Sequence, residues 1–289
     1  MKYKTSINWL VLGISILSFT AAAYGIFFNS GQGPYSITSF RGEIVHLYGK
    51  GLYKNDSVSA AAQMIGQDIV TLALGLPLLN IALYFSRKGS LKGRLLLTGT
   101  LGYFLYTYIS YAFLAEYNPF FLVYVALMSA ALFAFTLSLM SFDLGKIGSY
   151  FSPKLPTGFI GSFLLFLSVA VLLMWVSKIV PPLINGTIPF GLEHYTTLVI
   201  QAMDLGFVVP AGTLSGILFL RRHPFGYLLG SVIIMKGITM LTAITAMIIA
   251  LAFAGVKIRL AEVALFPLFN VVVIYVFVLI MKHLKENEA

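Results

Sequence analysis

Cysteine is absent from the 289 residues, which removes disulfides, thiolate metal sites and thiol redox chemistry. Charge is scarce as well. Only 10% of residues are Asp, Glu, Lys or Arg, where soluble domains carry about 25%. Acids are the rarer sign, ten against nineteen Lys and Arg. Catalytic signatures are missing too: no P-loop, no GxSxG elbow, no HExxH spacing and no intramembrane histidine pair for haem. The net charge of +9 would suit nucleic acid in a soluble protein. Here no polar segment combines a basic run with interleaved aromatics, so nucleic acid is rejected as a partner.

Hydrophobic residues are abundant, at 59% of the chain, with a mean hydropathy of +0.92. They form repeated runs of about 20 residues, each able to cross a ~30 Å hydrocarbon layer. The runs are continuous rather than alternating, which selects helices over a β-barrel. The expected fold is all-α: one integral membrane domain over 1–289 with eight spans. These lie roughly at 7–28, 64–86, 94–115, 119–141, 158–180, 195–220, 225–254 and 262–282. The first run follows "MKYK" and reaches "TAAAYG", like a signal peptide, but continues through "GIFF" and is read as a retained span.

Twelve Lys and Arg fall on one side of this arrangement and six on the other. The positive-inside rule then puts both termini in the cytoplasm of a cell-membrane protein, with the lipid bilayer as its first partner.

Spans two and six resemble each other. "GQDIVTLALGLPLLNIALYFSRKG" and "QAMDLGFVVPAGTLSGILFLRRHP" each open on Gln and Asp, hold a mid-span proline and end on a basic turn. Residues 1–143 and 157–289 are therefore expected to be two parallel four-helix repeats, a plan known among transporters. Gly212 with Gly216 and Gly226 with Gly230 sit four apart, a spacing that lets helices approach closely. It predicts tight packing of spans six and seven.

One cation stands inside an apolar run. Lys236 in "SVIIMKGITM" is about twelve residues, or roughly 18 Å, into span seven. A lysine that deep costs about 2.5–3.5 kcal/mol to insert, so it is expected to face the interior and find partners. By depth, Asn270 and Tyr106 fall at its level, with Asp204 about one turn further out.

Asp204 is the natural counter-ion, although Cβ vectors lean oppositely on the two helices, so a direct pair is left open. Lys236 is thus either part of a structural polar contact or part of a solute route. Retinal-type Schiff-base chemistry has no surrounding signature. Gln201, Asp204, Val208, Ala211 and Ser215 are expected on one helical face, and Asp68, Thr71 and Gly75 on a similar one. Asp68 lies near the outer boundary, where an interfacial residue is the commoner outcome. Tyr103, Tyr106 and Ser110 form one stripe of span three, and Tyr108 and Tyr111 another.

The loop over 29–63 holds Arg41, Glu43, His46 and Asp56, and later outer segments add Glu116, Glu193, His194 and Glu262. No metalloprotease spacing joins them, so no metal is assigned. "GEIVHLYGKGLY" reads as a short interfacial helix. The leading functional expectation is a transporter-like bundle that binds a small molecule, lipid or ion at Asp68, Tyr103, Tyr106, Gln201, Asp204, Lys236 and Asn270. The alternatives are a non-catalytic sensor or complex subunit with a structural polar core, and an enzyme acting on lipid. No cofactor is indicated.

Overall fold

The computed structural model describes residues 2–286. Helix α1 runs over Lys4–Phe27 and is followed by a hairpin of strands β1 (Tyr35–Thr38) and β2 (Ile44–Leu47), paired Tyr35 to Leu47 and Thr38 to Ile44. The hairpin corrects the expected interfacial helix. Its alternation Ile44, Val45, His46, Leu47 buries Val45 and Leu47 and exposes the other two, the period-two pattern of a half-buried strand.

A second long helix is built from α2 (Val58–Val70), a π-helical turn over Thr71–Gly75 and α3 (Leu76–Arg87). Helices α4 (Leu91–Leu114) and α5 (Phe121–Met140) follow, then the short α6 (Leu144–Ile147) and the long α7 (Thr157–Asn185). The next long helix is again composite: α8 (Val199–Met203), a π-helical turn over Asp204–Val208, and α9 (Val209–Leu220). Helices α10 (Pro224–Phe253) and α11 (Leu260–Lys282) complete the chain. Helix α7 runs five residues past its expected end, through Pro181 and Pro182, and stops at Gly186 in the left-handed region.

Seven of these helices are long and apolar enough to cross a membrane: α1, α2 to α3, α5, α7, α8 to α9, α10 and α11. Helix α4 has 24 residues but is not one of the seven. It carries four tyrosines, three threonines and a serine over 98–111. Fourteen of its residues are buried, so protein rather than lipid meets those hydroxyls.

Both π turns precede a proline, Pro77 and Pro210. Proline donates no hydrogen bond, and its ring collides with the carbonyl four residues back. The wider turn carries that carbonyl aside: Leu76 N–H reaches Thr71 O, and Val209 N–H reaches Asp204 O, each five residues back. The extra residue also resets the helical phase. Ser215 is fully buried, its hydroxyl donating to Ala211 O. Gln201, Asp204, Val208 and Ala211 are half-buried, so no residue of the expected face is exposed, and the exposed Phe207, Pro210 and Leu214 lie off it.

Helix α10 is central, packing on α2, α4, α9 and α11. Gly226 and Gly230 lie against Leu218 and Phe219 of α9, the close approach expected of spans six and seven. Gly212 and Gly216 instead face Ser168, Gly161 and Leu165 of α7, because the apolar side of α9 serves two neighbours.

A Cβ at Gly226 would fall 2.4 Å from the Leu218 carbonyl carbon, whereas one at Gly206 meets nothing within 4 Å. Gly226→Val should therefore lower stability by at least ~1–3 kcal/mol through overpacking. Gly206→Ala should stay within ~0.5 kcal/mol. Thermal unfolding of the two variants in detergent checks the contrast.

Candidate functional site

Asp204 opens the second π turn and points at α4 and α7. Its Oδ1 accepts from the Tyr106 hydroxyl at 2.8 Å, and its Oδ2 accepts from the Trp175 indole N–H at 2.8 Å. Lys236 approaches from α10, its stem over Gly102. Its ammonium lies 4.0 Å from the centre of the Tyr106 ring. Tyr106 thus touches both charges, giving its face to the cation and its hydroxyl to the anion.

The two charges do not pair. Among the described residues the ion pairs are Lys146 with Asp143 and His194 with Glu116. The Lys236 ammonium has no hydrogen-bond acceptor among the described residues. A cation over an aromatic face gains about 0.5–2 kcal/mol, less than a full hydrogen-bonded partner in hydrocarbon would give.

Asp68 belongs to a separate cluster. It is 2% exposed, which corrects the expected interfacial position. The loop over 48–57 folds down over it. Tyr53 of that loop reaches Asp68 Oδ2 at 2.6 Å, and Tyr111 of α4 reaches Oδ1 at 3.0 Å. Gly25 of α1 makes room, since a Cβ there would overlap the carboxyl. Gln67 donates to the Tyr103 hydroxyl at 2.8 Å and to Thr107 at 2.9 Å, and Thr71 meets Tyr103 at 2.9 Å.

The residues expected to line one site are therefore divided. Asp204, Tyr106 and Lys236 come together; Asp68 and Tyr103 join the other cluster, one helical turn away along α4. Asn270 donates to Thr242 on α10 at 2.9 Å rather than meeting Lys236. The expected equal depth is off by more than a turn, since Thr242 stands six residues beyond Lys236 on α10 and it is Val273 of α11 that lies beside Gly237. The side chain of Gln201 makes no hydrogen bond among the described residues.

Sequence reasoning missed Trp175, Tyr53 and Gln67, and named Tyr111 only as part of a stripe of span three. Trp175 carried a usable signal, because a tryptophan inside a span needs a partner for its N–H. Tyr53 carried none, as nothing in the loop shows that it folds inward. Two surface grooves, of about 460 and 330 Å³, lie elsewhere. The larger is lined by Ser15, Phe19, Pro77 and Asn80 between α1 and α3.

The polar residues of the loops meet at the hairpin end. Arg41 donates to the carbonyls of Glu193 at 2.5 Å and Tyr195 at 2.7 Å. Asp56, 1% exposed, accepts from Tyr195 O–H at 2.9 Å and Glu116 N–H at 2.9 Å, while its other oxygen has no hydrogen-bond partner among the described residues. His194 lies 3.4 Å from Glu116. Among the described residues no three His, Asp or Glu groups are arranged to hold a metal.

Burial pushes the Asp56 carboxyl up to about 7, opposed by its two hydrogen bonds and reinforced by the Glu116 and Glu193 charges. Burial raises Glu193 as well. An unfolded Asp loses its proton near pH ~4, so between there and about 7 the folded chain holds the extra proton. Stability then falls as pH rises through that window and levels off above it. Asp56→Asn should flatten the profile, removing a loss on the order of a few kcal/mol. Melting temperature against pH for the two proteins is the measurement.

No protein family, curated protein or solved structure matches this chain, so the site is read from its own geometry.

Proposed function

We propose that the chain is an eight-span membrane protein that carries an ion or small solute through the polar site of Asp204, Tyr106, Lys236 and Trp175. The observation that carries this reading is an acid and a base brought to one phenol and left unpaired. A purely structural pair would close to direct contact, because leaving either charge unmatched in hydrocarbon is costly. A site that must exchange partners keeps them apart. Intramembrane ionisable groups mark solute and proton routes by default, and π turns recur at functional sites.

The burial of α4 at the centre of the bundle supports counting it as the eighth span. Duplication is supported by a single register. Thr71 to Asp204, Pro77 to Pro210, Ser90 to His223 and Gly93 to Gly226 are each 133 residues apart (204 − 71 = 133). These pairs are the π-turn starts, the prolines, the helix N-caps and the glycines against the preceding helix. Gly89 and Arg222, also 133 apart, both have positive φ. In this register Asp204 and Lys236 stand where the first half has Thr71 and Tyr103. A neutral hydroxyl contact in one copy becomes the charged site of the other. The excess of basic residues at the α3–α4 and α9–α10 turns supports a cytoplasmic location for that end.

A second reading, a sensor or subunit of a larger complex, is favoured by the groove between α1 and α3. There Ser15 and Asn80 hydrogen-bond to each other on an apolar surface, a pattern that suits a neighbouring helix.

The test is flux and thermal shift in proteoliposomes with proton, sodium, potassium, small-carboxylate and small-amine gradients. Asp204→Asn and Lys236→Met should each cut flux at least tenfold with little change in melting temperature, and Tyr106→Phe several-fold. Absence of flux and of thermal shift with every probe, or full flux in both charge variants, overturns the reading.

A further inference from the structure

The cluster around Asp68 contains one more hydrogen bond than its phenols can supply. Tyr53 O–H meets Asp68 Oδ2 at 2.6 Å, Tyr111 meets Oδ1 at 3.0 Å, and the same Tyr111 oxygen meets Met64 O at 2.9 Å. These are three short oxygen–oxygen contacts. A backbone carbonyl brings no proton, and each phenol brings one. With an ionised carboxylate, one contact would set two lone pairs against each other. With the carboxyl protonated at Oδ1 every contact is served. Asp68 donates to Tyr111, Tyr111 donates to Met64 O, and Tyr53 donates to Oδ2.

The surroundings agree. The titratable groups facing Asp68 are phenols: Tyr53 from the loop, Tyr103, Tyr108 and Tyr111 from α4, and Tyr124 from α5. On the α1 side it meets Gly25. No Lys, Arg or His forms an ion pair with it among the described residues. An isolated carboxylate there would carry its full desolvation cost. Tyr53 also joins the cluster to the hairpin end. It lies three residues before Asp56, and the buried Tyr124 hydroxyl sits near both.

We propose that Asp68 is a proton-binding site, a carboxylic acid that is neutral in the resting protein and exchanges its proton with the hairpin end through the Tyr53 hydroxyl. The ligand is a proton, and the site is distinct from the one at Asp204. Exchange needs only solvent water at the hairpin end as the final proton acceptor. The carboxyl turns its O–H from Tyr111 toward the Tyr53 oxygen, Tyr53 takes that proton while its own passes to water on the loop side, and the reverse sequence reloads the acid.

Infrared difference spectroscopy of the full chain in bilayers tests this. At about pH 9 exposed carboxyls and Asp56 are ionised. The wild type should still show a protonated-carboxyl band that shifts in heavy water. Asp68→Asn, whose amide donates and accepts in the same places, should abolish it. If that variant does not fold, the band should survive in both Asp56→Asn and Asp204→Asn, leaving Asp68 as its source. Tyr53→Phe should keep the band and slow its deuterium exchange at least tenfold. A missing band, its persistence in Asp68→Asn, its loss in either control, or unchanged exchange in Tyr53→Phe overturns the proposal. Flux through the Asp204 site does not enter any of these readings.

Discussion

A charge inside a helical bundle in lipid must be answered by the protein, since no water stands ready to solvate it. In this chain the answers come from aromatic hydroxyls, an indole and a ring face, not from opposite charges. Helix α4 supplies most of them. Tyr106 serves Asp204 and Lys236, while Tyr103 and Tyr111 serve the polar side chains of α2. A phenol donates one proton, accepts at its oxygen and offers a negative ring face. It can thus stand between an acid and a base without neutralising either.

The π turns explain how these groups reach α4. An uninterrupted α-helix through Pro77 or Pro210 would clash, and the widened turn relieves the clash while rotating the preceding segment. Thr71 and Asp204, the first residues of the two turns, then face the same central helix and meet its tyrosines one turn apart. Backbone strain relief and placement of the polar side chains are one event. The same prolines that threaten the helices position the site.

Much of the architecture is legible in the sequence. Run lengths locate the apolar spans to within a few residues, because the bilayer thickness fixes them. Lys236, Asp204 and Tyr106 are legible as partners from depth alone, since 1.5 Å per residue orders groups along parallel helices. Depth says nothing about azimuth, and there the reading stops. For Asn270 the depth count itself slips, since it meets Thr242, six residues beyond Lys236 on α10. The three-four faces mark the inward side of each helix, Asp68, Thr71 and Gly75 all being buried, but they do not say which neighbour each residue meets, so they do not sort Asp68 from Asp204. The Asp68 cluster depends on Tyr53, which arrives from a loop whose path no periodicity records. The hairpin was hidden because "GEIVHLYGKGLY" is too short to separate a strand from a helical turn by pattern.

The central claim is that Tyr106 stands between Lys236 and Asp204 and keeps them from pairing. Solid-state NMR can measure the dipolar coupling between 15Nζ of Lys236 and 13Cγ of Asp204 in bilayers. The account predicts a weak coupling, that of two groups separated by a phenol, with strong cross-peaks from each to the Tyr106 ring. A coupling as strong as that of a directly hydrogen-bonded ion pair would contradict it.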